Sequence, residues 1–268
     1  MSAPPKRPPL VYSCRRERLP PALRPRFVEL EPDPAAEVFL ATLGRTRAGR
    51  LRGALHALLR PWLSDFEVNG LLGTYPLFLL GTEQWQRLLG DARRGRLLDI
   101  GAGDGGVTAH LAPGFDEVVV TEAARSMRLR LARRGWVTHA PGVASDGVPG
   151  SPYDVISLLN VIDRTARPRT LLERARHGLA PGGSLVVSVP LPYRPHWYDG
   201  GRTHDPLERL PIDGPTWEIG ATALVEGVLE PLGLEPGPFT RAPYLSAGDR
   251  RRELYVLDTV IATARVRS

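Results

Sequence analysis

Cysteine is nearly absent: Cys14 is the single one among 268 residues. One thiol excludes an intrachain disulfide, and zinc sites built from several thiolates go with it. Long apolar runs are missing as well. A membrane helix needs about 20 successive apolar residues, whereas stretches such as Leu185 to Val189 are strand-sized. The opening segment, MSAPPKRPPLVYSCRRERLPP, has no apolar core of the kind a secretory signal carries. It is arginine-rich and acid-poor, as transit peptides are, but its prolines oppose an amphipathic helix. The reading adopted for residues 1–34 is a basic, weakly ordered Pro/Arg-rich tail. The expected compartment is the cytoplasm, with mitochondrial or endomembrane association as alternatives. No segment repeats at a fixed period. The histidines form no compact metal pattern, since His56, His110, His139 and His177 are scattered and His196 and His204 stand too far apart. No metal is expected.

What remains is an ordinary globular composition, 42% hydrophobic and 24% charged. The length suits one sizeable α/β core plus extras. The formal net charge of +6 comes largely from the first residues and from arginine clusters at 128–134 and 250–252. Such charge attracts acidic partners or nucleic acid. A solvated arginine-rich surface explains it equally and is preferred, so nucleic acid is disfavoured as a partner.

The pattern changes along the chain. Asp33 to Trp62 carries apolar residues at helical spacing, and GTEQWQRLLG at 81–90 reads as another short helix. Between them, Leu63 to Leu80 is broken by Asn69-Gly70, Gly73 and Pro76, which predicts loop or short strand. Residues 35–95 therefore read as a helical extension that forms a lid over a cofactor or substrate site. From Arg96 strands and helices alternate, as in a parallel doubly wound sheet. Strands are expected at 96–101, 117–122, 136–140, 153–159 and 184–190, with helices at 105–111, 123–134 and 168–179. GATALVEGVLEPLG predicts one more helix, and FTRAPYLS and ELYVLDTVIATAR predict closing strands. The fold class is α/β, a Rossmann-like domain over 96–268 with a seven-stranded, mostly parallel sheet flanked by helices.

LLDIGAGDGG follows the first of these strands. Gly101, Gly103 and Gly106 satisfy the dinucleotide pattern G-x-G-x-x-G, which alone is weakly specific. Gly101, Gly103 and Gly105 also satisfy the tighter G-x-G-x-G spacing of methyltransferases, and Asp99 sits two residues before the first glycine. Glycines let the backbone turn sharply and approach a ligand closely. A methionine-derived cofactor brings an ammonium and a carboxylate in place of a pyrophosphate. Asp99 is expected to orient the loop or to meet the amino-acid end. Glu122 ends the second strand, seventeen residues beyond Gly105, where an acid can accept both ribose hydroxyls. Pro181-Gly182-Gly183 then predicts a turn into an apolar strand, as in many class I methyltransferases. Three signals in this order point to S-adenosylmethionine.

Ligands of such sheets bind at the carboxyl ends of the strands. The fourth strand delivers LLNVIDR there, with Asn160 and Asp163 three residues apart. No proline follows Asn160, which argues against the Asn/Asp-Pro-Pro-aromatic motif of base-modifying enzymes. The two side chains either face the cofactor together, or Asp163 merely caps a turn before the next helix.

At this point the chain resembles the methyltransferase-like protein 9, or DREV, family of protein-histidine methyltransferases. The matching pieces are VNGLLG (68–73), QWQRLL, LLDIGAGDGGVT (97–108), VVTE (119–122), YDVISLLNVIDR (153–164), TLLERAR (170–176), LPYRP (191–195), TRAPYLSAGD (240–249) and YVLD (255–258). They keep their order over about 190 residues, and LLNVIDR and TRAPYLSAGD are the specific ones. Two pieces depart from the family pattern: GTYPLF after VNGLLG, and Gly106 where some members carry an acid. The resemblance implies methyl transfer from S-adenosylmethionine to the pros nitrogen of a histidine in His-x-His segments of proteins or peptides, with x small. It carries cofactor contacts over to Glu122, Asn160 and Tyr244, and acceptor-histidine contacts to Asn160, Asp163 and Tyr255. Rival readings are a small imidazole or amine substrate, RNA, and a methyltransferase-fold protein that binds without turnover. A nicotinamide dehydrogenase fits Asp99 and the Pro-Gly-Gly segment poorly.

Overall fold

The structure, a computed structural model, describes residues 9–43, 76–90, 94–199, 202–248 and 254–267. The VNGLLG piece, His56, most of the expected 33–62 helix and the arginines at 250–252 lie outside the described residues.

Adjacent apolar residues in the strands explain the layering. Leu97 and Leu98, Val155 and Ile156, and Val186 and Val187 are each fully buried, yet members of each pair belong to different core clusters. Successive strand side chains point to opposite faces, so both faces of the sheet must be covered. The sheet strands are β1 (Leu77–Phe78), β2 (Arg94–Ile100), β3 (Phe115–Thr121), β4 (Val137–His139), β5 (Tyr153–Leu159), β6 (Leu179–Pro190), β9 (Leu234–Ala247) and β10 (Leu254–Val266). They lie in the order β4-β3-β2-β5-β6-β10-β9-β1. β4 through β6 run parallel, while β10, β9 and β1 are added antiparallel. A separate two-stranded ribbon pairs β7 (Trp197–Asp199) with β8 (Arg202–His204).

The described helices are α1 (Pro34–Leu43), α2 (Thr82–Leu89), α3 (Gly106–Leu111), α4 (Arg125–Arg133), α5 (Val143–Asp146), α6 (Pro168–His177) and α7 (Trp217–Leu224). The fold is α/β, as expected, a mostly parallel sheet flanked by helices, with these differences from the sequence reading. The sheet has eight strands, because the short β1 from the extension adds to the edge strand β9. The expected Pro-Gly-Gly turn lies inside β6: Tyr153 pairs with Leu179 and Val155 with Ser184, so the three residues bulge out of a continuing strand. The last helix is three pieces, since α7 passes into a π turn at Val225–Leu229 and a 3₁₀ turn at Glu230–Leu232.

The reading of residues 1–34 as a weakly ordered tail does not describe residues 9–34. Tyr12, Leu19, Leu23, Phe27 and Leu30 are buried in the two main cores. Phe27 bridges to Phe239 of β9 and meets Trp217 edge-on at 5.9 Å between ring centres. Arg241 donates to the Ser13 carbonyl at 3.1 Å, and the Arg15 N–H donates to Glu218 at 2.9 Å. The arginines and prolines hide these apolar anchors from a compositional reading, because burial depends on a few side chains and not on the average. Phe27→Ala is expected to lower unfolding stability by about 3 kcal/mol or more, read from urea titrations. A loss below about 1 kcal/mol would mean that this segment does not pack in solution.

Candidate functional site

The sheet order reverses at β2, whose neighbours β3 and β5 lead the chain in opposite directions. Loops at such a switch point diverge and leave a crevice beyond the strand ends. The glycine loop occupies it, running from the end of β2 into α3. Gly101 adopts φ +76°, and a Cβ there would stand 2.8 Å from Val161. Gly103 adopts φ +58°, yet the nearest heavy atom to its Cβ position is Leu77 Cδ1 at 4.0 Å. Gly101 is therefore dictated by packing, while Gly103 leaves room for a ligand to approach the backbone. Gly105, at φ +77°, precedes α3 as its cap.

Asp99 lies beneath the loop, 2% exposed. Its two carboxyl oxygens accept hydrogen bonds from Thr108 of α3 and Ser157 of β5, each at 2.6 Å. Burial pushes its pKa up to about 6, with the two hydroxyls opposing the shift and Glu122 adding to it. Both Asp99 oxygens are thus engaged, tying α3 and β5 to the strand that leads into the loop. Glu122 follows β3 and turns back: its carboxylate accepts the Gly103 N–H and the Ala124 N–H, each at 2.9 Å. Each oxygen keeps a further lone pair for a ligand hydroxyl.

Asn160 and Asp163 lie beyond the end of β5. The chain makes a turn here, with the Arg164 N–H donating to Val161 at 2.9 Å. Asn160 is the only described non-glycine residue with positive φ, +57°. Its amide Nδ2 is buried without a hydrogen-bond partner, and so is Asp163 Oδ1. Asp163 is 3% exposed. Its other oxygen lies 3.4 Å from the Arg164 guanidinium. Burial pushes its pKa up, and Arg164 and His196 pull it back. Asp163 lies in that turn, and the helix beyond it is capped by another acid: α6 starts at Pro168, and Glu208 accepts its Thr170 N–H at 2.9 Å. An orphaned buried carboxylate oxygen costs stability. Two orphaned polar atoms of opposite hydrogen-bonding sense, on the turn that packs against Gly101 through Val161, fit a polar ligand.

Tyr244 is on β9 and Tyr255 on β10. Pairing of Tyr244 with Leu257, and of Ser246 with Tyr255, puts both tyrosines on one face of the sheet, diagonally related. Burial raises the Tyr244 pKa, Asn160 opposes that shift, and Asp163 is among the charges it feels. Asn160, Asp163 and Tyr244 thus converge. Tyr255 stands one step along the same face.

Tyr193, Ser157 and Ser188 went unmarked in the sequence. Tyr193 donates to the Ile162 carbonyl at 3.2 Å, and its pKa is raised by burial and by Asp163. The His196 N–H donates to the Asp163 carbonyl at 2.9 Å, and Arg164 sits 2.7 Å from His196 Nδ1. These contacts bind the segment that leads into β7 to the Asp163 turn. Ser157 and Ser188 each interrupt an apolar strand, and that interruption was a signal in plain view. Among the described residues, no group of three histidine, cysteine or acidic side chains is disposed to hold a metal ion. No described helix is long and apolar enough to cross a membrane.

The sequence matches the model of a family described as DREV methyltransferase over residues 11–265. Solved structures that the chain is similar to include the following. The N-methyltransferase NodS from Bradyrhizobium japonicum, in complex with S-adenosyl-L-homocysteine, is 20% identical, with a TM-score of 0.45 covering 70% of this chain and 86% of that one. A putative methyltransferase from Bacillus halodurans is 13% identical, with a TM-score of 0.49 and coverages of 70% and 99%. The magnesium protoporphyrin IX methyltransferase of Synechocystis, solved with S-adenosylmethionine, is 14% identical at a TM-score of 0.44, covering 70% and 76%.

Proposed function

The chain belongs to the DREV methyltransferase family, and from that premise we propose that it methylates the pros nitrogen of histidine in His-x-His segments of proteins, x being small. S-adenosylmethionine is the methyl donor. Its sulfonium supplies an already activated methyl group, so the protein's task is alignment. Glu122 is assigned to the ribose hydroxyls, and the backbone of Gly101, Gly103 and Gly105 to close cofactor approach over the support of Asp99. Asn160 and Tyr244 complete the cofactor contacts.

The observation that carries the acceptor assignment is the unpartnered, buried Asp163 Oδ1. A neutral imidazole has one N–H donor and one lone-pair nitrogen. Asp163 accepts the N–H, fixes the tautomer and leaves the other nitrogen free to attack. Its negative charge also stabilises the ring as positive charge develops on methylation. Asn160 and Tyr255 position the ring. Arg164, His196, Tyr193 and Tyr244 are the titratable or charged groups around Asp163.

Labelled S-adenosylmethionine offered with peptides containing His-Ala-His or Ala-Ala-Ala at one site tests this reading. Label is expected only in the first, as pros-methylhistidine on amino-acid analysis. Label transferred to RNA or to free small amines, with none on the peptide, overturns it.

A further inference from the structure

Ser188 is a hydroxyl in an otherwise apolar strand, and it is fully buried. Its neighbours Val187 and Val189 belong to the core. A buried hydroxyl is tolerated only when hydrogen-bonded, and every side-chain bond of Ser188 goes to one residue. The Asn160 backbone N–H donates to Ser188 Oγ at 3.0 Å, and Ser188 Oγ donates to Asn160 Oδ1 at 3.0 Å. The Ser188 carbonyl also receives the Asn160 N–H at 3.1 Å. In the β5–β6 register Ser188 faces Leu159, so these bonds grip the first residue beyond the ladder. That residue holds a φ of +57°, a left-handed conformation that asparagine adopts more readily than other non-glycine residues and that these bonds reinforce.

The same bonds decide which way the amide faces. A hydroxyl has one proton. Sealed from water, Ser188 must donate that proton, and Asn160 Oδ1 receives it. The amide NH₂ is then turned away from Ser188, on the side of Tyr244, whose hydroxyl feels it; Nδ2 is buried there without a hydrogen bond of good geometry. The site thus presents a donor from Asn160 and an acceptor from Asp163. With the amide reversed, it would present two acceptors and the Ser188 proton would lose its partner.

We infer that Ser188 is a positioning residue that holds Asn160 in its left-handed conformation and orients its amide NH₂ toward the cofactor. This rests on the cofactor contact proposed for Asn160, and it does not depend on which nucleophile receives the methyl group.

The test is the full-length chain as Ser188→Ala, Asn160→Ala and the double variant, with S-adenosylhomocysteine affinity measured by calorimetry and folding followed by thermal unfolding. Ser188→Ala is expected to weaken binding about tenfold, as loss of a hydrogen bond and release of the amide imply. The double variant should bind no more weakly than Asn160→Ala, because a positioning residue has nothing left to position. Full additivity, or wild-type affinity in Ser188→Ala, overturns the inference. Wild-type affinity in Asn160→Ala overturns the cofactor role of Asn160 and the inference with it. Failure to methylate the His-Ala-His peptide counts only against the proposed acceptor, so the two failures are distinguishable.

Discussion

Asp163→Asn is expected to reduce methyl transfer to a His-Ala-His peptide by about a thousandfold, within the range set by loss of a positioned proton acceptor, while S-adenosylhomocysteine affinity changes less than about threefold. The amide keeps the shape of the carboxylate but loses its charge. It neither stabilises the developing cation nor accepts the imidazole N–H as strongly. Single-turnover rates with labelled cofactor, beside calorimetric binding, separate the two effects. A rate within about tenfold of wild type would remove Asp163 from the reaction. The pH profile adds a sign. Asp163 must be ionised to act, and burial raises its pKa, so activity falls as pH drops through a value above the ordinary aspartate range. Arg164 holds that value down. Arg164→Gln is therefore expected to move the acid limb to higher pH. The substrate imidazole must also be neutral to attack, so its own titration adds a limb that Arg164→Gln leaves in place; a limb shifted downward contradicts this electrostatic arrangement.

Glu122→Ala is expected to weaken S-adenosylhomocysteine binding by about a hundredfold, as the loss of two charge-assisted hydrogen bonds implies. Part of that effect comes from the loop itself. The Glu122 carboxylate holds the Gly103 and Ala124 N–H groups, so its removal leaves Gly103 without that anchor. Glu122→Gln keeps an acceptor oxygen and is expected to fall between wild type and alanine. Calorimetry on the three proteins reads the order directly. Equal affinity in wild type and Glu122→Ala would mean that the ribose is held elsewhere.

Much was legible in the linear sequence because it depends on local periodicity and on backbone freedom. The strand-helix rhythm after Arg96 located β2, β3, β4, β5 and β6; the central β5 and β6 carry long apolar runs because both their faces are buried, whereas β4 is an edge strand without a buried residue. Gly101 and Gly103 marked the loop, because positive φ and close approach require glycine. Glu122 and Asn160 followed from their places at strand ends. Tertiary structure decided the rest. The first residues read as a tail because composition averages over Tyr12, Leu19, Leu23 and Phe27, whereas burial depends on where those few side chains land. The Pro-Gly-Gly segment read as a turn because local propensity cannot register a partner strand that continues on both sides of a bulge. Spacing left Asp163 undecided between a cap and a reactive group. Its lack of a partner at Oδ1, and the claim of Glu208 on the helix start, appear only once distant segments meet. Composition and spacing determined the fold class and the glycine-loop site. Which polar atoms are bonded and which are left without a partner was settled by packing, because hydrogen-bond satisfaction is a property of the assembled chain.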